Sequence, residues 1–548
     1  MTKIARVLSN PVLAKVEGID DPTKLALSDA MSFIVDGYEH TDAGRSGGWD
    51  GRSTLYDWTS GRFPAGFIAT AIATLQNEGW EVQQVRKPLP APLGPMPTQK
   101  CPIVDEHAPD PNREYQFKAV RILEKHGSYI AQIATGGGKS RVAALCITRI
   151  GRKTMFVTTR QALLYQMGEA LDEMGKAILA KLSDDQLLAK LGTEIASKLK
   201  GFTVSYVGDS TWDTSGDVVC AMVPTLSQRI APLELPLTST LDEKKRATER
   251  WQRRYDEAIA FLDSVEFVIG EEAHEAGGNG YYDVLGKCRN AHYRLALTAT
   301  PMMKDGESDL RLIARFGPIR LRVTEEYLIG CGILAKPFFK YIPIGAKEQP
   351  PTLRRATAWQ KAEDLGIVNN MTRNKHVCAE TIRGSRWGLP VGILVKRQKH
   401  GKILHDMLKQ CGLKGAFIFG ESGNDKRKEA LKKLATGEFD YVIGSTIIDV
   451  GVDVPALQIL IMAGGGKAEV AIRQRIGRAL RKKYKTPNFA FLVDFEDGNN
   501  KHLIKHAKAR RAIVEQTAGF AEGILPRGKD FDFAALGFQR PMPVGMAA

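Results

Sequence analysis

The sequence offers little to a disulfide or zinc framework. Its seven cysteines, Cys101, Cys146, Cys220, Cys288, Cys331, Cys378 and Cys411, are scattered, odd in number and never arranged as C-x-x-C. A reducing cytoplasm is therefore the expected compartment. Nor does any apolar run approach the roughly 18 residues of a membrane span, and Lys3, Arg6 and Lys15 break up the first segment where a signal peptide would keep its apolar core. A protein neither secreted nor embedded, with no membrane partner, is the expectation. Negative charge is also short. Against 77 Lys and Arg stand 62 Asp and Glu, a net charge of +15 that favours an anionic partner, nucleic acid before a membrane surface. The first 100 residues lack this excess, with ten basic against eleven acidic residues, so whatever attracts a polyanion lies mainly after them.

The 548 residues suffice for three or four domains, each with its own core. Residues 1–87 alternate short apolar segments with turns and read as a small α+β unit, with a strand-like RSTLYDW and a helix-like FIATAIATLQNEGW on either side of the Gly61-Arg62-Phe63-Pro64 turn. Its Trp49, Tyr56, Trp58 and Phe63 beside Arg45, Arg52 and Arg62 suit stacking on nucleic acid, but the residues alone favour a small hydrophobic core with a solvated rim. Prolines dominate residues 88–111, which predicts an extended, semi-rigid linker. Apolar strands alternating with helices follow: 154–159, 217–223, 265–270 and 294–300, then 389–396, 415–420, 439–446, 457–464 and 489–495. That alternation predicts two consecutive parallel sheets covered on both faces. Charged helical insertions are expected over about 168–200 and 239–262. The tail, 526–548, is mixed in composition and is expected to be ordered only by docking.

From Tyr129 to Ser140 the chain reads YIAQIATGGGKS, an apolar segment giving way to Thr135, Gly136, Gly137, Gly138, Lys139 and Ser140. This is the form of a phosphate-binding loop. Glycines let backbone N–H groups face phosphate oxygens, Lys139 reaches the β/γ-phosphates, Ser140 ligates Mg²⁺, and a helix beginning near Arg141 adds its positive dipole end. Ile133 stands where the general pattern has its first glycine.

Short polar clusters fall in a fixed order at the ends of these strands. Gln116 precedes the loop. Glu271-Glu272-Ala273-His274, Thr298-Ala299-Thr300, the stretch from Ser445 through Thr446 to Gly451 and Asp453, and Gln474-Arg475-Ile476-Gly477-Arg478-Ala479-Leu480-Arg481 follow. This order resembles the superfamily 2 helicases and translocases over roughly residues 112–500, with Q-x-x-G-R-x-x-R its most specific part. The resemblance implies an α/β fold of two tandem RecA-like parallel-sheet domains, 112–325 and 326–525, preceded by a small α+β DNA-binding domain. It implies ATP and Mg²⁺ as cofactors, with ATP seated between the two sheets.

By the same resemblance Arg113, Gln116, Thr135, the three glycines, Lys139, Ser140, Gly451 and Asp453 hold the nucleotide, with Gln116 as the adenine reader. Ser140 and Glu271 hold the metal. Glu272 polarises the attacking water, and Gln474, Arg478 and Arg481 complete the catalytic set, the two arginines as fingers from the second domain. Glu271 replaces the family's aspartate and reaches one methylene further, which octahedral Mg²⁺ tolerates through its retained waters if the backbone adjusts. Thr298 and Thr300 couple nucleotide state to movement. Thr159, Arg160, Gln166, Thr225, Lys396, Arg397 and Thr446 are candidate strand contacts, of types that bind phosphates without reading sequence.

The run GRSGGWDGRSTLYDWTSGRFPAGF is also similar to the N-terminal DNA-binding domain of UvsW-type bacteriophage DNA helicases, which turns Trp49, Arg52 and Arg62 into candidate DNA contacts. The leading expectation is an ATP-dependent DNA helicase that remodels forks or four-way junctions in phage replication, recombination and repair, inside the host cytoplasm if phage-encoded. A double-strand translocase without strand separation and a hydrolysis-deficient annealing protein, motivated by Glu271, are the alternatives. An RNA helicase fits less well. No nuclease motif is evident, which counts against a self-contained restriction enzyme.

Overall fold

The structure is a computed structural model that describes residues 3–96, 111–182, 201–235, 240–302, 306–345, 351–419, 424–444, 457–466 and 469–541, with the single positions 189, 347 and 349. It divides into two compact units, Met1–Ile133 with Gly138–Arg322, and Val323–Ala548 with Ala134–Gly137.

The first unit opens with a four-stranded sheet in the order β5-β2-β1-β6, from β1 (Lys3–Ser9), β2 (Leu13–Glu17), β5 (Arg62–Pro64) and β6 (Trp80–Arg86). A small ribbon, β3 (Ser32–Ile34) with β4 (Arg52–Thr54), accompanies it. Helices Asp21–Ala30 and Ile68–Asn77 cover the sheet, sinking Leu27, Ala71 and Leu75 against Val7, Val16, Phe63 and Phe67. Tyr56 and Phe63 belong to this core, their rings 6.4 Å apart. Ala314, on helix Gly306–Phe316 of the following sheet, closes the same core. Gly66 sits so close to that helix that a Cβ would meet the Ile313 carbonyl at 1.8 Å, which fixes glycine there by close approach.

Residues 88–96 form neither helix nor strand, and they are strapped to the next sheet's body. Leu93 and Gly94 N–H groups donate to the Ile150 and Arg149 carbonyls, and Tyr293 donates to Pro90 O at 2.6 Å. The rest of the expected linker, from 97, lies outside the described residues as far as 110.

The first RecA-like sheet has eight strands, β10-β9-β11-β8-β12-β13-β7-β14. They are β7 (Ser128–Ile133), β8 (Thr154–Thr158), β9 (Val204–Gly208), β10 (Thr211–Trp212), β11 (Val218–Met222), β12 (Phe267–Glu271), β13 (Tyr293–Thr298) and β14 (Ile319–Val323). The central pairings β11-β8-β12-β13-β7 are all parallel. Every residue of β8, β12 and β13 is buried, which is why their sequences read as continuous apolar runs instead of alternating ones. Of the expected helical insertions, helix Gln161–Leu182 and helix Leu241–Ser264 are described, the latter opened by a capping box of Thr240 and Glu243.

The second unit holds a six-stranded parallel sheet, β15-β20-β19-β16-β18-β17. Its strands are β15 (Lys336–Ile344), β16 (Val391–Leu394), β17 (Gly415–Ile418), β18 (Tyr441–Gly444), β19 (Ile459–Met462) and β20 (Phe489–Asp497). Two parallel α/β sheets of RecA-like type therefore follow the small N-terminal sheet. The tail contributes Phe531, Phe533 and Phe538 to the core of the second sheet, so that core extends beyond residue 525.

Candidate functional site

The phosphate loop leaves β7 and enters helix Lys139–Ile150. Gly136 and Gly138 take positive φ values of 86° and 79°, conformations that cost glycine nothing. No side chain caps the helix, so its first N–H groups and its positive dipole end stay open beside Lys139. Ser140 donates to the Met167 thioether at 3.1 Å, a weak acceptor that a metal ion can outcompete. Gln116 lies on helix Glu114–His126, buried, and reaches this loop: a Cβ on Gly138 would stand 2.8 Å from Gln116 Nε2 and 3.9 Å from the Arg113 guanidinium. That Nε2 has no hydrogen-bond partner among the described residues. A buried amide donor held unpaired beside an open phosphate cradle fits a nucleotide's base and phosphates.

Glu271 ends β12 and is buried, as are Glu272 and His274. Glu272 adopts a left-handed backbone, φ 45° and ψ 46°, a conformation that costs a non-glycine residue about 1–3 kcal/mol and clusters at functional turns. His274 Nδ1 stands 3.3 Å from Glu272 Oε2 and 3.4 Å from Thr298 Oγ1, and Thr298 Oγ1 accepts from the Thr300 N–H at 3.2 Å. His274 thus ties the acidic turn after β12 to the threonines after β13, a role that the sequence leaves open. Among the described residues no group of three His, Cys, Asp or Glu could enclose a metal ion. Mg²⁺ asks for no such cage, since it is held by one or two carboxylates, water and substrate phosphates.

The described strand-contact candidates follow three strands, β8, β11 and β16. After β8, Thr159 donates to Glu275 and Arg160 forms an ion pair with the same carboxylate at 3.2 Å. Gln166 and Thr225 are half-buried, on helices Gln161–Leu182 and Val223–Ile230. After β16, Lys396 and Arg397 both pair with Glu363, at 3.3 and 2.7 Å. Glu363 is buried, whereas Lys396 and Arg397 keep about half of their side chains in solvent. Neither Glu275 nor Glu363 stands out in the sequence. Glu275 follows the acidic cluster by a single residue, the one signal that points to it.

In the second unit Gln474 and Arg478 are half-buried and four residues apart on helix Glu469–Ala479, hence on one face. Arg481 follows the helix, its backbone in a bridge to Leu334, with burial lowering its guanidinium pKa. Lys483 secures the helix end by donating to Ala479 O at 3.0 Å and Leu457 O at 2.5 Å. Thr446, Gly451 and Asp453 lie outside the described residues. In the N-terminal sheet's ribbon, Trp49 is half-buried and donates to Arg52 O at 2.8 Å, Arg52 pairs with Asp29 at 2.8 Å, and Arg62 is exposed. Tyr56, buried in the core, does not join them at the surface.

Two family models match the chain, the type III restriction enzyme res subunit over residues 111–303 and the helicase conserved C-terminal domain over residues 376–483. Between them they span more than half of it. The chain belongs to the superfamily 2 helicases. It is 22 % identical over 481 residues to the ATP-dependent DNA helicase uvsW of Enterobacteria phage T4, covering 84 % of this chain and 85 % of that protein. It is 24 % identical over 405 residues to the DNA 3'-5' translocase XPB2 of Sulfurisphaera tokodaii, covering 68 % of this chain and 79 % of that protein. The helicase MrfA, solved with DNA and AMPPNP, shares the fold over 77 % of this chain and 55 % of its own, with a TM-score of 0.51 at 15 % identity. Among the described residues no helix of this helicase is long and apolar enough to cross a membrane.

Proposed function

We propose that this chain is an ATP-dependent DNA helicase or translocase of the UvsW/XPB type, and that it acts on branched DNA, forks and four-way junctions, in phage replication, recombination and repair. The observation that carries the reading is the set of groups at the C-terminal ends of β7, β12 and β13. An uncapped helix start with Lys139 and Ser140 lies beside the unpaired Gln116 amide, and the Glu271-Glu272 turn is linked through His274 to Thr298. Lys139 supplies charge to the β/γ-phosphates, Ser140 and Glu271 hold Mg²⁺, Glu272 orients water, and Arg478 and Arg481 stabilise the charge of the transferred phosphoryl group. The match to uvsW over 84 % of this chain supports the branched-DNA reading. Trp49, Arg52 and Arg62 then select DNA geometry, while Arg160, Gln166, Thr225, Lys396, Arg397 and Thr446 grip phosphates without reading bases.

ATP turnover measured without DNA and with single strand, duplex and a four-way junction tests this reading, alongside Lys139→Ala and Glu272→Gln. Lys139→Ala should lose nucleotide-dependent activity, and Glu272→Gln should bind ATP but not turn it over. Near-normal DNA-stimulated hydrolysis by Glu272→Gln would remove Glu272 from its role. A second reading, translocation along duplex without strand separation, draws on the match to XPB2. Stimulation by duplex with no strand release from a fork would favour it.

A further inference from the structure

At the opposite ends of the same strands a second site is built. A cleft of about 490 Å³ opens between the N-terminal sheet and the first RecA-like sheet, within the first unit. Ser128, which starts β7, lines it, as does His292, just ahead of β13. β7 is six residues long, so the cleft lies roughly 20 Å from the phosphate loop at the strand's other end.

The charge of this cleft is one-sided. Arg86, Lys87, His126, Arg289, His292 and Arg294 line it, and no aspartate or glutamate does. Arg86, Lys87 and Arg289 are exposed and have no ion-pair partner among the described residues, whereas Arg149 and Arg152 are paired. Glu266, whose charge reaches His292, is already engaged with Arg152 at 2.8 Å. Beneath the floor lies Arg294, only 2 % exposed, whose guanidinium donates to the carbonyls of Ala291, Leu285 and Cys288 and to no carboxylate. Burial lowers its pKa to about 10, so it stays charged at neutral pH. Burial, then the charges of Arg320, Lys125 and Arg86, hold His126 below the ordinary imidazole range. His292 is lowered first by burial, with Glu266 opposing and Arg152, Lys87 and Arg294 adding to the shift. Cations crowded around neutral imidazoles with low-dielectric walls make a concave positive potential.

The walls are fixed. Leu89 packs against Gly127 on one side, where a Cβ would meet it at 2.7 Å, and the Tyr293 hydroxyl pins Pro90. On the other side the turn from β1 to β2 is held by Asn10 Oδ1, which accepts from the N–H groups of Val12 and Leu13 at 2.8 Å each.

We infer that this cleft is a second nucleic-acid site, which takes the phosphodiester backbone of DNA on Arg86, Lys87 and Arg289, apart from the strand contacts at the C-terminal ends of the sheets. It serves as a fixed anchor for one arm of the substrate while the other sites move along another. The identity of the polyanion rests on the DNA reading above, whereas the site's preference for phosphate anions rests on its own charge.

The test is a pair of binding measurements on the full chain. Lys87→Glu/Arg289→Glu should weaken binding of a short blunt duplex at least tenfold at low salt. It should also reduce the slope of log affinity against log salt by about two, since each phosphate contact contributes about 0.9. Neither residue belongs to the nucleotide site, so ATP turnover without DNA should stay at its parental rate. As a measurement that needs no variant, acetylation of Lys87 in the parental protein should slow when duplex is added. An unchanged slope in a folded variant, or unaltered acetylation, would overturn the inference. So would protection of Lys87 by inorganic pyrophosphate but not by duplex, which would make this a site for small anions. If duplex binding follows the prediction while ATP turnover never responds to DNA, the cleft stands and the helicase reading fails.

Discussion

Replacing Gln116 by alanine distinguishes a ligand-facing amide from one that merely fills space. The side chain is 2 % exposed, and its Nε2 finds no acceptor among the described residues. An unsatisfied buried donor costs about 1–3 kcal/mol, and the alanine variant removes that cost while leaving a small cavity. The two effects oppose each other, so unfolding free energy should move by less than about 1 kcal/mol. Nucleotide binding should respond differently. If the amide pairs with adenine, its loss takes away an interaction of about 1–3 kcal/mol, which is about a 5- to 150-fold loss of ATP affinity. The preference for ATP over GTP should shrink by a similar factor, because guanine presents the reverse arrangement of donor and acceptor.

Gly138→Ala provides the partner experiment. Its φ of 79° costs an alanine about 1–2 kcal/mol, and the new Cβ would press on Gln116 Nε2 from 2.8 Å. Gln116→Ala should relieve that contact, so the double variant should be more stable than the sum of the single effects predicts. Urea melts and titrations with ATP and GTP measure both quantities. A stability loss above about 3 kcal/mol in Gln116→Ala, with base preference intact, would show that the amide is structural and does not read the base.

Three further outcomes are expected. Arg478→Ala and Arg481→Ala should keep DNA affinity but cut turnover by about 10³ or more, as loss of an arginine finger does in phosphoryl transfer; loss of DNA binding with normal turnover would make them backbone ligands. Trp49→Ala/Arg52→Ala/Arg62→Ala should leave basal ATP hydrolysis and lower the ratio of junction to duplex binding at one fixed salt concentration, and an unchanged ratio would return these residues to a structural role. His400 is buried and bonded to Asn374 Oδ1 at 2.9 Å, and burial, then the charge of Arg373, lowers its pKa from 6.5 to about 3. The unfolded chain therefore takes up this proton first, and the stability present above pH 6.5 should fall by about 1.4 kcal/mol per pH unit on acidification toward pH 3. His400→Gln should flatten that part of the urea-melt profile.

The sheets were legible in the sequence because a strand covered on both faces has no polar alternation to hide it. VEFVIG and RLALTAT became the fully buried β12 and β13, shifted by a residue or two at their ends. The phosphate loop was legible through glycines whose positive φ the turn requires. The groups that hold other groups were not. Glu275 takes Thr159 and Arg160, and Glu363 takes Lys396 and Arg397, because chain segments distant in sequence meet in the fold; no local pattern marks Glu363, and only its place after the acidic cluster marks Glu275. Tyr56 misled for the opposite reason. Its neighbours Trp49 and Arg52 reach the surface, and only the packing against Phe63 shows that the tyrosine points inward. Likewise the prolines of 88–96 predict extension, but docking on Ile150 and Arg149 is a property of the partner surface.

That docking also limits how the N-terminal unit can be separated from the motor. The small sheet shares its core with Ala314, and the strap at 88–96 covers part of the first RecA-like sheet. A deletion through residue 95 would strip both and expose apolar surface, so its effects on DNA preference would be confounded with damage to the ATP-binding sheet. Point substitutions at Trp49, Arg52 and Arg62 avoid this, since Arg52 and Arg62 are exposed and Trp49 is half-buried at the ribbon. The same continuity gives the unit a second means of influencing the motor. Arg86 and Lys87 sit where β6 passes into the strap, and the strap rests on the last turn of helix Lys139–Ile150, whose other end adjoins the phosphate loop. DNA held at Arg86 and Lys87 would therefore pull on an element whose start carries Lys139 and Ser140. If that connection transmits, Lys87→Glu/Arg289→Glu should lower the DNA stimulation of ATP turnover by more than its loss of duplex affinity explains, even at saturating duplex. Stimulation that recovers fully at saturation would confine the cleft to anchoring.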